Sequence, residues 1–242
     1  MDSRPDALNA AIDGAWLAFN MPAPRDLGLC TQWSIEPATA DKILATPARK
    51  LSAEQIRLWY GAEFRSEPQY AQVAWLLPRI FELLAEGVEV ASVGNEVAFQ
   101  RLQRTGFPER WPERQVTAIN DFALAYVDFI VCDANRFIEI NLDRMLCMFG
   151  MGGIDLVPLL ARLEALSDDD LACLLHNNWF HHGWGAIPQN NFWSQERGLS
   201  IVYNWYVSKT LQMRMEQAAM NGNDNAFEIH ALISRSMVQD KS

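Results

Sequence analysis

The segment Trp75 to Leu84 reads Trp-Leu-Leu-Pro-Arg-Ile-Phe-Glu-Leu-Leu and decides the class of fold. Its apolar residues recur at helical spacing, and Arg79 and Glu82 form an oppositely charged pair three positions apart. Pro78 lies inside this stripe, where a proline removes a backbone donor and kinks a helix. The segment predicts a packed, irregular helical protein. Arg79 should pair with Glu82 or Glu86, or bond to carbonyls that the proline frees.

Helical patterns extend over most of the chain. Ser52 and Gln55 form a capping box ahead of a helix to about residue 64, and Pro112 opens a long helix to about residue 132. Gly150 is a natural helix end. Ser167, with Asp168 to Asp170 in the first turn, predicts the start of a further helix, and helical pattern resumes over about 192–220 and 224–238. No run keeps the period of two that marks a strand. We expect an all-α, irregular multi-helix bundle of about ten or eleven helices, with stacked helical pairs as one arrangement, in a single domain over residues 1–242.

Composition places the protein among globular, cytoplasmic chains. Half of the 242 residues are apolar and 11% are aromatic, enough for a sizeable core. The longest charge-free apolar run, Met145 to Ile154, is far shorter than a membrane span, and the polar, acidic N-terminus predicts no signal peptide. The four cysteines are widely spaced, lack a CxxC pair and are expected to be reduced core thiols.

The charge is acidic and unevenly distributed. The net charge is −10, and residues 121–170 hold ten acidic residues against three basic ones. Such a surface disfavours nucleic acid, which requires a basic footprint, and suits a basic protein partner. The alternative is an acidic face that only keeps the protein soluble.

Four spaced elements follow one another along the first half of the chain: Cys30, the segment Ile43 to Ser52, the segment Trp75 to Leu83, and Trp111-Pro112-Glu113. Together they resemble a group of bacterial helical proteins that has no established activity. The group's signature is similar to Phe-Leu-Pro-Arg-Ile-x-Glu-Leu followed by Trp-Pro, and Leu76 here replaces the common phenylalanine. Cys30 also lacks the neighbouring cysteines of many relatives. The resemblance covers roughly residues 15–130. It implies a small cytoplasmic helical protein of bacterial type and no catalytic residue.

One helix face carries residue types that bind metals. Asp169, Cys173 and His176 fall at positions i, i+4 and i+7, so a helix would present all three on one side. A second helix would have to supply further ligands. The face is therefore a weak candidate for a metal site, and polar residues left on an exposed face are the simpler interpretation.

The stretch His176 to Arg197 is rich in aromatic and amide side chains. It is interpreted as an inter-helix loop whose aromatic residues plug the core, as a protein-binding edge, or as a catalytic loop around His181 and His182. The chain has no phosphate-binding glycine loop, no GxSxG and no HExxH motif, so no cofactor is predicted.

These observations favour a binding protein without catalysis, of the immunity type that neutralises a basic bacterial toxin. The alternatives are a metal-dependent helical enzyme and a structural helical scaffold. The oligomeric state stays open, and neither nucleic acid nor membrane is an expected partner. The predicted docking surface is a solvent face of acidic helices beside the aromatic loop, formed by Asp121, Asp128, Glu139, Asp143, Trp179 and Trp184.

Overall fold

The predicted all-α fold class is confirmed. A computed structural model describes residues 4–132, 141–181, 192–193 and 197–239. These residues form twelve α-helices and two 3₁₀ turns, Ala48–Lys50 and Asn95–Val97, and no strand. The helices are α1 (Asp6–Ala18), α2 (Pro37–Ala45), α3 (Ala53–Gly61), α4 (Tyr70–Ala85), α5 (Gln100–Arg104), α6 (Glu113–Val131), α7 (Leu142–Met151), α8 (Val157–Glu164), α9 (Asp168–His181), α10 (Arg197–Tyr206), α11 (Lys209–Met220) and α12 (Asp224–Gln239).

The chain folds into two compact units, each held together by contacts among its own residues. The first comprises Met1–Tyr126 with Met151–Ile154, and the second comprises Val127–Gly150 with Asp155–Ser242. The boundary falls within α6, between Tyr126 and Val127. No described helix is both long and apolar enough to cross a membrane.

The first unit is organised around α4, the helix that contains Pro78. Phe81 on this helix stacks face to face on Phe122, with ring centroids 4.0 Å apart. Arg79 donates from Nη1 to Glu82 Oε2 at 2.7 Å and from Nε to the carbonyl of Leu51 at 2.8 Å. The predicted Arg79–Glu82 pair is therefore confirmed, and the same guanidinium also holds a neighbouring segment.

In the second unit, α9, α11 and α12 pack together. The pattern over 192–220 resolves into two helices here because Ser208 caps a new one, its Oγ accepting from the amide of Leu211 at 3.2 Å. The prediction that Gly150 ends its helix is wrong, because Gly150 lies inside α7. A Cβ at that position would come within 2.7 Å of the Trp193 ring, so Gly150 permits close packing instead.

Local capping signals in the sequence are confirmed. Ser52 and Gln55 form a reciprocal capping box at the start of α3, which ends at Gly61 rather than near residue 64. The prediction of core thiols is confirmed for Cys30 and Cys147, which are buried, but Cys173 is half-buried and Cys132 is exposed.

Candidate partner-binding site

The start of α9 concentrates negative charge at the surface of the second unit. Ser167 Oγ accepts from the amide of Asp170 at 3.1 Å and donates to the Asp170 carboxylate at 2.8 Å. This cap starts the helix with three aspartates, Asp168, Asp169 and Asp170, in its first turn. The positive end of the helix dipole favours carboxylates at these positions.

Arg214, on α11, holds the first of these aspartates. Its Nε and Nη2 donate to Asp168 Oδ1 at 2.8 and 2.6 Å. The same guanidinium donates to the carbonyls of Glu164 and Leu166 at 2.7 and 3.0 Å, at the carboxyl end of α8. One arginine thus joins three helices and neutralises part of the charge on Asp168.

The turn between α11 and α12 holds the second aspartate. Asn223 Nδ2 donates to Asp169 Oδ1 at 2.6 Å, while Asn223 Oδ1 accepts from the amide of Ala226 and caps α12. Gly222 in this turn has φ +95°, a left-handed backbone conformation that suits glycine. In the part of the chain that the structure describes, no donor contacts Asp169 Oδ2.

These elements enclose an acidic cleft of about 520 Å³, lined by Ser167, Asp168, Asp169, Ala218, Asn221, Gly222 and Asn223. Its walls offer carboxylate, hydroxyl and amide groups, and Arg214 contacts Asp168 but not Asp169. Since Asp169 is exposed and keeps one carboxylate oxygen available, the cleft can accept hydrogen bonds from a cationic side chain. We take this acidic cleft as the candidate site.

The predicted acidic docking face is only partly present. Asp121 is exposed in the first unit, and Asp128 is exposed in the second, where it lies 3.7 Å from Arg162. Glu139 lies outside the described residues. The prediction that Asp143 faces solvent is wrong, because its side chain is fully buried and accepts a 2.7 Å hydrogen bond from Trp193 Nε1.

The prediction that Trp179 lies on the docking surface is also wrong. Its side chain is fully buried and packs edge-on against Tyr206, with centroids 5.1 Å apart. Its indole nitrogen has no hydrogen-bond partner among the described residues. For Trp179, the interpretation of the aromatic stretch as a core plug is therefore the one that the structure supports. Trp184, the His181 side chain and His182 lie outside the described residues.

Asp143 instead belongs to a buried polar cluster in the second unit. Asn178 Oδ1 accepts from the Asp143 amide at 3.1 Å, and Asn178 Nδ2 donates to the Tyr206 hydroxyl at 2.9 Å. Burial and the nearby Asp143 charge raise the pKa of Tyr206 well above its ordinary value. The buried polar cluster satisfies several groups that would be costly to leave unpaired, and it joins α7, α9 and α10.

The three weak metal candidates point to different partners. Asp169 binds Asn223, His176 Nε2 lies 3.1 Å from Glu228 Oε2, and Cys173 accepts from Asn177 at 3.7 Å. Burial raises the pKa of the Cys173 thiol, which disfavours the thiolate that binds metals. In the described ranges, no group of three histidine, cysteine or acidic side chains is placed to hold a metal ion.

The capped start of α9 is predictable from the sequence, whereas the contacts of Arg214 and Asn223 with its aspartates are not. Both lie more than 40 positions away along the chain, at separations of 46 and 54 residues from the aspartates they contact. A helix-start signal is local, whereas the identity of the helix that covers it is not.

Comparisons with protein-family models, with curated proteins and with solved structures returned no match to this chain.

Proposed function

We propose that this chain is a binding protein without catalysis that neutralises a basic partner, in the manner of an immunity protein that protects a bacterium from a toxin. The observation that carries the proposal is the acidic cleft at the start of α9. The second unit, which contains it, has fourteen acidic and eight basic residues, for a net charge of −6.

The chemistry of the cleft favours a lysine or arginine side chain of the partner. An incoming ammonium or guanidinium group would find one oxygen of Asp169 available beside amide and hydroxyl groups of the turn. Negative charge around the site would also speed association with a basic protein, and added salt would weaken that effect. Nucleic acid is disfavoured by the same charge.

The direct test is co-expression with the product of the adjacent gene, since an immunity protein is expected beside its toxin. We expect the two proteins to co-purify at near-physiological salt and the chain to restore growth. Recovery of the chain alone, with no protection, would contradict the proposal.

Charge variants then test the position of the site. Asp169→Lys should slow association with the co-purified partner by at least about threefold at low salt, because it reverses charge at the cleft. Asp13→Lys is the matched control, since Asp13 is an exposed aspartate of the first unit that lies outside the predicted docking surface. Equal effects of the two substitutions would show that overall charge, and not the cleft, drives binding.

Two alternatives make different predictions. A structural scaffold should self-associate, which sedimentation equilibrium measures. A metal-dependent enzyme should retain metal when it is purified without a histidine tag or chelator, and metal analysis measures the content per chain.

A further inference from the structure

A groove in the first unit has a largely apolar, aromatic lining with one arginine, unlike the acidic cleft. It lies where the end of α1, the chain at 20–23, the end of α2 and the Ala48–Lys50 turn meet, and its volume is about 630 Å³. Its apolar lining includes Trp16, Phe19, Met21, Leu44, Pro47 and Trp75. Pockets of this size and aromatic character commonly hold small molecules, for which about 300–1,000 Å³ is typical.

Trp16 forms the first wall of this aromatic groove, and Arg79 and Glu82 of the segment Trp75 to Leu84 hold it in place. Trp16 Nε1 donates to Glu82 Oε1 at 2.8 Å. The other oxygen of Glu82 accepts from Arg79, which in turn bonds to the Leu51 carbonyl. This chain of contacts fixes the indole plane, so a ligand would not have to order the ring on binding.

Arg49 places a positive charge on the groove. Its guanidinium carbon lies 4.4 Å from the centroid of the Trp16 ring, a cation–π contact that orients the group. Arg49 is exposed and lines the groove, and among the described residues no carboxylate lies within ion-pair distance of it. Glu82, the carboxylate next to Trp16, is already bound by Arg79 and the indole.

Charge complementarity therefore selects the occupant. An oriented guanidinium with no ion-pair partner favours a carboxylate, which it can bind through two parallel hydrogen bonds. Two tryptophans and a phenylalanine favour a flat apolar body beside that carboxylate. A cationic ligand would be repelled by the charge of Arg49.

We propose that the aromatic groove is a binding site for a small aromatic carboxylate, whose ring lies among Trp16, Phe19 and Trp75 and whose carboxylate binds Arg49. This site lies within the first unit, whereas the acidic cleft of the proposed function belongs to the second.

Calorimetry of the full chain with 1-naphthaleneacetate tests the proposal, and 1-naphthaleneacetamide serves as its neutral analogue. We expect the carboxylate to bind at least about fivefold more tightly than the amide, since charge-assisted hydrogen bonds are the stronger ones. Arg49→Gln should remove this preference, whereas Arg114→Gln, at another exposed arginine of the same unit, should leave it unchanged.

Circular dichroism of both variants verifies that the helical fold is kept, which is expected because both side chains are exposed. Absence of carboxylate binding at millimolar concentration overturns the proposal. So does equal binding of the acid and the amide, or a preference that survives Arg49→Gln.

Discussion

Arg214 is predicted to stabilise the second unit mainly through carbonyl groups and less through its ion pair. Arg214→Gln removes two hydrogen bonds to the end of α8, each worth about 1 kcal/mol. The ion pair with Asp168 adds less than about 1 kcal/mol, because the two side chains are 25% and 44% exposed and water screens them. We therefore expect a total loss of about 2 to 3 kcal/mol.

A double-mutant cycle separates the two contributions. Asp168→Asn alone should cost under about 1 kcal/mol, since it leaves the carbonyl contacts of Arg214 intact. The double variant should be about as stable as Arg214→Gln, which gives a coupling energy of about 0.5 to 1 kcal/mol. Arg235→Gln is the matched control, because Arg235 is an exposed arginine of the same unit.

Urea unfolding followed by circular dichroism measures these free energies. Because the chain has two compact units, amide hydrogen exchange of α8 and α9 should report the same ranking locally. If Asp168→Asn cost as much as Arg214→Gln, or if the Arg235 control lost as much stability, the assignment of the energy to the carbonyl contacts would be refuted.

Two further predictions concern buried groups. The raised pKa of Tyr206 means that, above about pH 10, the unfolded chain releases a proton that the folded chain retains, so stability falls as pH rises there. Tyr206→Phe should make the fall of the unfolding free energy with rising pH shallower, by up to about 1.4 kcal/mol per pH unit. Urea unfolding at several alkaline pH values measures this slope, and equal slopes for the two proteins would contradict the prediction. Arg101→Ala should cost about 3 kcal/mol by urea unfolding, because Arg101 bonds to the carbonyls of Trp59, Tyr60 and Ala62 at 3.0, 2.8 and 3.3 Å; a loss below about 1 kcal/mol would show that these carbonyls find other donors.

Helix type and helix starts could be predicted because their causes are local. The spacing of apolar side chains sets which residues share a helix face, and a hydroxyl at the cap bonds to an amide three residues later. Ser52 and Ser167 were identified on this basis, and both bonds are present. The Arg79–Glu82 pair was predictable for the same reason, since both residues lie on one helix within one turn.

Which polar residues reach solvent depended on tertiary structure. Asp143 has the charge and helical position of a surface residue, but Leu142, Met145, Leu146 and Phe149 are buried with it, so other elements cover α7 on more than one side. Trp179 could equally have anchored a partner or filled the core, and packing against Tyr206 decided for the core. Burial of one helix depends on which other helices pack on it, which its own periodicity does not contain.

Both candidate sites arise from residues that are distant along the chain. The acidic cleft needs Asn223 beside Asp169, and the aromatic groove needs Arg49 over Trp16. The sequence alone determined that the protein is helical and acidic, with α9 beginning in three aspartates. Only the folded chain brought a turn, a distant arginine or a second aromatic wall to these residues, because such contacts depend on how helices pack and not on their individual propensities.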